Sequence, residues 1–186
     1  MFARTERLTL RPGWIEDAPE LARAAGHEAV IRNTRRMPWP YALGDAEAFL
    51  RTPQDIRTPS LLVFAHEHGA VRLIGGVGLT PTDEGLRELG YWITPDAWGR
   101  GYATEAARAV LDMAGALRIR GVAARHFVDN PASGRVLRKL GFHPTGEQTL
   151  GESRARRNTA PVIHYARQQA DHPSLPDIED APPLAA

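Results

Sequence analysis

Two closely spaced glycines, Gly99 and Gly101, stand between a strand-like apolar segment and a helical pattern, in the sequence GYWITPDAWGRGYATEAARAV at residues 90–110. A turn that opens directly onto a helix directs several unpaired backbone amides and the positive end of the helix dipole at one point. This arrangement favours a phosphate or pyrophosphate ligand. Each charge-assisted hydrogen bond to such an anion contributes about 1.5 to 3 kcal/mol, so a few of them bind a ligand usefully.

The common nucleotide-binding motifs fit this turn poorly. A Walker loop needs a Lys and then a Ser or Thr directly after its second glycine, where this chain has Tyr102 and Ala103. A dinucleotide-binding fingerprint needs a third glycine and an acidic residue about twenty positions further on. The alternative is that no ligand binds here and that the two glycines only allow a tight turn into the helix.

A second helix with a well-marked start is predicted in NPASGRVLRKLGF, residues 130–142. Asn130 is a favourable N-cap, and the proline after it suits the first helical position. Apolar residues then recur at helical spacing, and Gly141 suits the position just after the helix. We therefore expect a helix between Asn130 and Gly141, with Asn130 and Ser133 at its start.

The rest of the pattern predicts the elements that position these two segments. Alternating polar and apolar residues indicate strands, and apolar residues at helical spacing indicate helices. Strands are predicted at residues 5–11, 61–66, 71–79, 86–93, 122–128, from 142 onward and at 161–167, and helices at 16–28, 45–51, 101–117 and 130–141. The three strands from 61 to 93 form an antiparallel meander, so we expect an α+β fold with one mixed sheet.

Composition limits the function classes further. The chain has 186 residues, 23 Lys plus Arg against 22 Asp plus Glu, and no cysteine. The lack of cysteine excludes a disulfide scaffold, Cys-ligated zinc, iron–sulfur clusters and a thioester on the enzyme. A net charge of +1 provides no global field for nucleic acid or acidic lipid. We therefore expect no nucleic-acid partner.

Neither the amino terminus nor any internal run resembles a secretory signal or a membrane span, so a cytoplasmic protein without a membrane partner is expected. His66 and His68 lie on one strand face without a third ligand, so no metal is expected. Residues 1–168 are predicted to form one domain. Residues 169–186, rich in prolines and acidic residues, are predicted to be a disordered tail.

Residues 86–142 resemble the GCN5-related N-acetyltransferases (GNAT), and specifically their RimJ/RimL-type branch. The motifs that carry the resemblance are LRELGYWITPDAWGRGYATEAARAVLDMA and FVDNPASGRVLRKLGF, and TERLTLRP and TRRMPWPY also fit that branch. The resemblance implies a central, mixed and mostly antiparallel sheet flanked by helices. It also implies that this sheet is splayed between the strands at 86–93 and 122–128, where the thioester of acetyl-CoA binds as co-substrate.

The resemblance also assigns cofactor contacts. It places pantetheine on the backbone of Tyr91, Trp92 and Ile93, and contacts to the cofactor at Asn130. It places the pyrophosphate on the amides of Trp98, Gly99, Arg100, Gly101, Tyr102 and Ala103, with the Thr104 hydroxyl in addition. In this family a Ser or Tyr on the helix that begins at Asn130 protonates the leaving thiolate, which points to Ser133. The alternatives are a plain helix cap for Asn130, backbone bonding for Ser133 and an ordinary first-turn residue for Thr104.

Glu88 is the candidate general base. It shares a strand face with Gly90 and Trp92, which directs its carboxylate toward the cleft and within water-mediated reach of an ammonium group. The alternative is a cross-strand ion pair with Arg72 or another arginine. A weak base favours an α-amine, because about a tenth of an α-amine is neutral at pH 7 and far less of a lysine amine.

The acceptor is expected at the loop 32–41 and the segment GESRARRN at residues 151–158. Their arginines are candidates for binding an acidic acceptor or the 3'-phosphate of CoA, or they solvate the surface; they are Arg32, Arg35, Arg36, Arg154, Arg156 and Arg157. Trp39 and Tyr41 are expected to wall the acceptor pocket, with Arg35 beside them.

The function predicted from this sequence is direct transfer of the acetyl group of acetyl-CoA to a primary amine. The acceptor is either a protein N-terminal α-amine or a small-molecule amine. Two alternatives stay open: a longer acyl-CoA as donor, and a degenerate protein that binds CoA as a sensor or interaction module. The sequence allows a monomer or a homodimer.

Overall fold

A computed structural model describes residues 1–67, 69–83, 85–119 and 121–167. Within these residues one sheet has eight strands, in the spatial order β1-β2-β3-β4-β5-β6-β8-β7. The strands are Ala3–Arg4 (β1), Leu8–Arg11 (β2), Ser60–Glu67 (β3), Ala70–Pro81 (β4), Arg87–Ile93 (β5), Val122–Phe127 (β6), His143–Gly151 (β7) and Ala160–Arg167 (β8). The tail predicted at 169–186 and His68 lie outside the described residues.

Five α-helices accompany the sheet in the described part of the chain. They are Ala18–Ala25 (α1), Glu28–Ile31 (α2), Leu43–Leu50 (α3), Tyr102–Ala116 (α4) and Pro131–Lys139 (α5). Short 3₁₀ turns precede α1 and α4, at Ile15–Asp17 and Pro95–Ala97. None of the described helices is long and apolar enough to cross a lipid bilayer.

The sheet is mixed and mostly antiparallel, which confirms the predicted α+β class. Each neighbouring pair of strands is antiparallel except β5 and β6, which are parallel. The parallel pair follows from the connection through α4, because a helix crossover returns the chain in the same direction.

The sheet splays open between β5 and β6. These strands pair only from Arg87 opposite Val122 to Leu89 opposite Ala124. Beyond that point β5 stays paired with β4 as far as Ile93, while β6 stays paired with β8 as far as Phe127. The two strands therefore diverge and leave a gap, as the resemblance implied.

Helices cover both faces of the sheet because successive side chains of a strand point to opposite faces. On one face, Leu89 and Ile93 of β5 belong to a core that includes the apolar stripe of α4. On the other face, Trp92 packs against a smaller core formed by α1, α3 and apolar residues of β3 and β4. We call these the α4 face and the α1 face of the sheet.

Helix boundaries differ from the predicted ones mainly near residue 26. The sequence predicts one helix at 16–28, but α1 ends at Ala25 and the short α2 begins at Glu28. Gly26 has a ψ of 40°, outside the helical region, since glycine has little to gain from staying in a helix. The predicted start of α5 is confirmed, because the Asn130 side chain accepts a hydrogen bond from the Ser133 amide.

Candidate active site

One continuous cleft of about 1360 Å³ passes through the gap between β5 and β6. Residues of the α1 face, such as Tyr41 and Phe49, line one part of it, and residues of the α4 face, such as Thr104 and Val136, line the other. Its volume exceeds the roughly 300 to 1,000 Å³ of an ordinary small-ligand pocket. The cleft therefore has room for two reactants that meet in the gap.

The open edge of β5 presents backbone groups to the cleft. Hydrogen-bonded pairs alternate along an antiparallel ladder, and the alternation between β4 and β5 is fixed by two bonds: Thr94 N to Ile74 O, 2.8 Å, and Thr82 N to Leu86 O, 3.0 Å. The backbone N–H and C=O groups of even-numbered β5 residues therefore bond to β4. The backbone N–H and C=O groups of odd-numbered β5 residues point away from β4, toward β6 or the gap. Beyond the last β5–β6 pair, the amides of Tyr91 and Ile93 face the gap.

This alternation corrects the assignment of Trp92. Its peptide groups face β4 opposite Gly76, so they do not lie at the open edge. Its indole lies over the same glycine, where an added Cβ would be only 2.6 Å from Trp92 Nε1. Trp92 lines the α1-face part of the cleft with its side chain instead.

The turn after β5 has the free amides that the sequence predicts. Gly99 and Gly101 have φ values of 74° and 84°, in the left-handed region that glycine adopts without strain. The first helical bond of α4 runs from Glu105 N to Gly101 O, 3.1 Å. Among the described residues, no protein acceptor is bonded to the amides of Gly99, Arg100, Gly101, Tyr102, Ala103 or Thr104. Those lining the cleft are Gly99, Gly101, Tyr102, Ala103 and Thr104.

Two residues of the predicted pyrophosphate set differ from the others: Trp98 lines the cleft but its amide is already bonded, and Arg100 does not line the cleft. The amide of Trp98 donates to Pro95 O at 3.2 Å, and its indole Nε1 donates to Ile93 O at 2.6 Å. Trp98 therefore connects the end of β5 to the turn through these two hydrogen bonds. Arg100 is absent from the residues that line the cleft, and its guanidinium pairs with Glu67 Oε1 at 2.9 Å.

Arg7 binds the turn from outside the cleft, a role that the sequence did not reveal. Its Nη1 donates to Arg100 O at 3.0 Å, and its Nη2 pairs with Glu105 Oε2 at 2.6 Å. Burial alone would raise the pKa of Glu105, but hydrogen bonds from Thr5 and Arg7 lower it below its usual value. The ionised carboxylate in the first turn of α4 therefore fixes the helix start to β2.

The Tyr102 side chain points away from the cleft and supports the same turn. Its hydroxyl donates to Glu67 Oε1 at 2.6 Å, and this bond, followed by burial, raises the pKa of Tyr102. The Arg7 guanidinium lies 4.7 Å from the ring centroid. Only the backbone of Tyr102 is thus offered to a ligand.

Ser133 lies at the cleft and is paired with a partly buried tyrosine. Tyr91 Oη and Ser133 Oγ are 2.8 Å apart, and the Ser133 amide donates to Asn130 Oδ1 at 3.3 Å. Burial raises the pKa of Tyr91 to about 12, although the bond to Ser133 acts in the opposite direction. The phenol stays protonated at neutral pH and supports the Ser133 hydroxyl. The sequence identified Ser133 and Asn130 but not the Tyr91 side chain.

Glu88 lies on the α1 face of the cleft in an ion pair with Arg125. Arg125 Nε donates to Glu88 Oε1 at 3.0 Å, and Arg125 Nη2 binds the other carboxylate oxygen. Both side chains line the cleft and are about a fifth exposed, 24% for Arg125 and 20% for Glu88. Arg72, the alternative partner considered for Glu88, pairs with Asp96 instead.

The loop after α2 contributes Arg35 and Tyr41 to the cleft but not Trp39. Burial, and then Asp45, raises the pKa of Tyr41 to about 12, and both Arg35 and Tyr41 line the cleft. The Trp39 indole is 39% exposed and is not part of the lining. Its side chain extends from a loop constrained by two prolines, so the expectation that it walls the pocket is not supported.

Arg32 and Arg156 are bonded to Asp129 within the protein and are not free to bind a ligand. We call Arg32, Arg156 and Asp129 the Arg156 clip. Arg156 donates through both Nη atoms to Asp129, at 2.8 and 2.9 Å, and through Nε to Arg32 O at 2.7 Å. Arg32 Nη2 also pairs with Asp129, at 2.9 Å. The Arg156 bond, more than any other contact, lowers the pKa of Asp129. Arg154 and Arg157 do not line the cleft.

No group of three or more metal-ligating side chains occurs in the described ranges. His66 bonds to Thr9 Oγ1 at 2.7 Å, and His164 to Thr149 Oγ1 at 2.8 Å. The polar groups that line the cleft include backbone amides, hydroxyls, guanidinium groups and three carboxylates, which are suited to anion binding and proton transfer.

Known proteins share both the sequence pattern and the fold. The model of an acetyltransferase (GNAT) domain matches residues 7–143. YoaA of Bacillus subtilis, described as an uncharacterized N-acetyltransferase, is 30% identical over 155 residues that cover 76% of this chain and 82% of that protein.

Two solved structures share the fold at lower identity. RimL, a ribosomal L7/L12 α-N-protein acetyltransferase in complex with coenzyme A, has a TM-score of 0.73 at 17% identity, over 90% of this chain and 98% of its own. The microcin C7 self-immunity acetyltransferase MccE, in complex with acetyl-CoA and AMP, has a TM-score of 0.72 at 17% identity, over 89% and 94%. These structures show the shared fold, and the family match over residues 7–143 together with the similarity to YoaA confirms the expected family: the chain belongs to the GNAT acetyltransferases.

Proposed function

We propose that this acetyltransferase transfers the acetyl group of acetyl-CoA directly to a neutral α-amine, on a protein N-terminus or a small molecule. The observation that carries the proposal is the meeting of two unpaired sets of backbone amides, at the turn before α4 and at the open edge of β5, in one cleft. A pyrophosphate and an amide-containing chain are the ligand parts that such amides complement.

The turn is the proposed pyrophosphate site. The amides of Gly99, Gly101, Ala103 and Thr104 would donate to it, at the positive end of the α4 dipole. Tyr91 and Ile93 would bind the pantetheine arm as a neighbouring strand would, and Asn130 lies at the same side of the gap. RimL and MccE, which share this fold, are complexes with CoA and with acetyl-CoA.

The gap between β5 and β6 is the proposed reaction site. An amide of the open β5 edge, at Tyr91 or Ile93, would donate to the oxygen that gains negative charge as the amine attacks the thioester carbonyl. Because these amides are fixed by the β4–β5 ladder, little reorganisation is needed when the charge develops.

Ser133 is the proposed acid that protonates the leaving thiolate. Its hydroxyl bonds to Tyr91 Oη at 2.8 Å, and the tyrosine would resupply the proton. A thiol of ordinary pKa, about 8.5, leaves tolerably without assistance. Loss of this acid should therefore cost about tenfold to a thousandfold in rate.

Glu88 is the proposed general base, acting through water. Arg125 holds both of its carboxylate oxygens, which fixes their position but leaves lone pairs for a bridging water. A base engaged in this way serves an amine that is already partly neutral. This favours an α-amine, with a pKa near 8, over a lysine amine near 10.4.

The test compares two glycines that have nearly the same positive φ angle. Gly101 and Gly146 have φ values of 84° and 87°, but only Gly101 lines the cleft. Gly101→Val should weaken acetyl-CoA binding at least about tenfold, the loss of one charge-assisted hydrogen bond, whereas Gly146→Val should retain the wild-type affinity in titration calorimetry. Equal affinity of the two variants would remove the turn from the binding site.

A second measurement concerns the reaction itself. Free-thiol release is followed with acetyl-CoA and a panel of α-amines, with a longer acyl-CoA in parallel. Release that depends on the amine supports the proposal. Tight binding of acetyl-CoA without thiol release for any amine would instead identify a CoA-binding sensor.

A further inference from the structure

The ion pairs among the described residues leave three arginines of the cleft lining without a carboxylate partner: Arg35, Arg36 and Arg135. Arg135 belongs to α5 on the α4 face, which leaves Arg35 and Arg36 on the α1 face. Arg32 and Arg156 share Asp129, and Arg125 is bonded to Glu88. Arg35 and Arg36 line the same cleft, and within the described part of the chain neither has a hydrogen-bonded or ion-paired acidic partner.

The charge of the cleft lining is positive. Of the described lining residues, Asp45, Glu88 and Asp129 carry carboxylates, against five that carry cationic groups: Arg35, Arg36, Arg125, Arg135 and Lys139. Each carboxylate is already bonded within the protein, Asp45 to the amide of Ala42 at 2.8 Å. The lining therefore offers unneutralised positive charge rather than a general acidic pocket for an ammonium group.

Arg35 lies close to the Glu88–Arg125 pair. Burial and then the Arg125 guanidinium lower the pKa of Arg35, while the Glu88 carboxylate acts in the opposite direction. Arg36 also lowers the pKa of Arg35, and Asp83 acts in the same direction as Glu88. Three guanidinium groups thus share the field of two carboxylates, which leaves an excess of positive charge beside the proposed base. An acceptor that carries only an ammonium group would be repelled there.

We propose that the acceptor carries a carboxylate as well as its amine, and that the guanidinium groups of Arg35 and Arg36 bind this carboxylate on the α1 face of the cleft. The inference rests on the proposed function and names its substrate class: amino acids or peptides with an acidic group near the amine. Arginine suits the role because its planar donors match a carboxylate. The same positive charge favours the neutral form of the bound amine, the form that attacks.

The test uses pairs of peptides that share the amine and differ only in one charge. The three pairs are Asp-Ala-amide with Asn-Ala-amide, Gly-Asp-amide with Gly-Asn-amide, and Ala-Ala with Ala-Ala-amide, which place the carboxylate at different distances from the amine. Binding to the CoA-saturated protein is measured by titration calorimetry. In at least one pair the acidic member should bind about tenfold or more tightly, since charge-assisted bonds are lost in the neutral member.

Substitution of Arg35 and Arg36 tests whether these two residues cause the tighter binding of the acidic peptide. In Arg35→Gln/Arg36→Gln the affinity ratio within that pair should fall to about two or less, whereas Arg23→Gln, an exposed change on α1 outside the cleft lining, should keep it. Ratios within one protein sample are insensitive to the folded fraction. Equal binding of both members in all three pairs, or a preference that survives the double substitution, would overturn the inference. Thiol release with the same peptides reports separately on the proposed function.

Discussion

At the scale of single residues, Glu88 combines a structural and a proposed catalytic role. An ion pair with Arg72 or another arginine was the alternative that the sequence left open for Glu88, and in the structure its partner is Arg125. The pair does not exclude the base, because both residues line the cleft on the face that the proposed function assigns to the amine. The role of Glu88 therefore depends on how its loss affects the pH profile, not on the ion pair alone.

Glu88→Gln should lower kcat/KM about a hundredfold, with the largest effect below pH 7. At low pH most of the amine is protonated, and a glutamine does not accept its proton. At high pH the neutral amine is abundant and the difference should narrow. The measurement is the pH profile of kcat/KM with one α-amine.

The matched control for this change is Glu47→Gln, which removes an exposed ion pair with Arg51 outside the cleft. It should leave the profile unchanged, as expected for exposed pairs. If Glu88→Gln also followed the wild-type profile, Glu88 would be a structural partner of Arg125 only.

At the scale of elements, β5 decides the shape of the site. Glu88, Gly90 and Trp92 lie on one strand face, and Gly90 is the only one of the three without a side chain. An added Cβ at Gly90 meets no atom within 4 Å, whereas at Gly76 it would approach Trp92 Nε1 to 2.6 Å. Gly76 is therefore needed because the Trp92 indole packs against its backbone, whereas Gly90 leaves open space in the cleft.

Gly90→Val should fold with a melting temperature close to that of the wild type, because a β-branched residue suits an open strand position. Its side chain would fill the cleft between Glu88 and Trp92, so kcat/KM for the amine should fall about tenfold or more. Gly76→Val serves as the contrast and should lose about 1 to 3 kcal/mol of stability through overpacking. Full activity of Gly90→Val would show that the amine does not pass this position.

Much of this element order could be predicted from the sequence. Period-2 and helical spacing predicted the strands and helices, and the two glycines before α4 predicted the turn, because these signals are local. The sequence allowed an arginine partner for Glu88 but did not identify Arg125, and it did not show the partners of Glu105 and Ser133. Arg125, Arg7 and the Tyr91 side chain are remote in sequence from the residues they contact. The sequence also did not show which backbone groups of β5 face the gap, because that depends on the register with β4.

At the scale of the whole molecule, the cleft joins the two faces of the sheet. Ser133 and the turn before α4 lie toward the α4 face, and Glu88 and Arg35 toward the α1 face, yet all of them line one cleft. In the proposed function, the two reactants therefore bind on different faces of the sheet and meet in the gap. The chain also has no cysteine to carry the acyl group.

Initial-rate measurements with varied acetyl-CoA at several amine concentrations should give intersecting double-reciprocal lines. Simultaneous binding of both substrates is the reason, because the acetyl group never leaves CoA before the amine is present. Without amine, no burst of free thiol should appear. Parallel lines together with such a burst would indicate a covalent acetyl-enzyme and contradict direct transfer.

The Arg156 clip joins three parts of the chain that lie far apart in sequence. It connects the β7–β8 link with the loop after α2 through Arg32 and with Asp129, the residue before the α5 cap. The loop that carries Arg35 and Tyr41 is thereby tied to the β7–β8 link and to the start of α5. Under the proposed function, substitutions that exchange one amine for another therefore belong in the cleft lining, since Arg32 and Arg156 are not part of it.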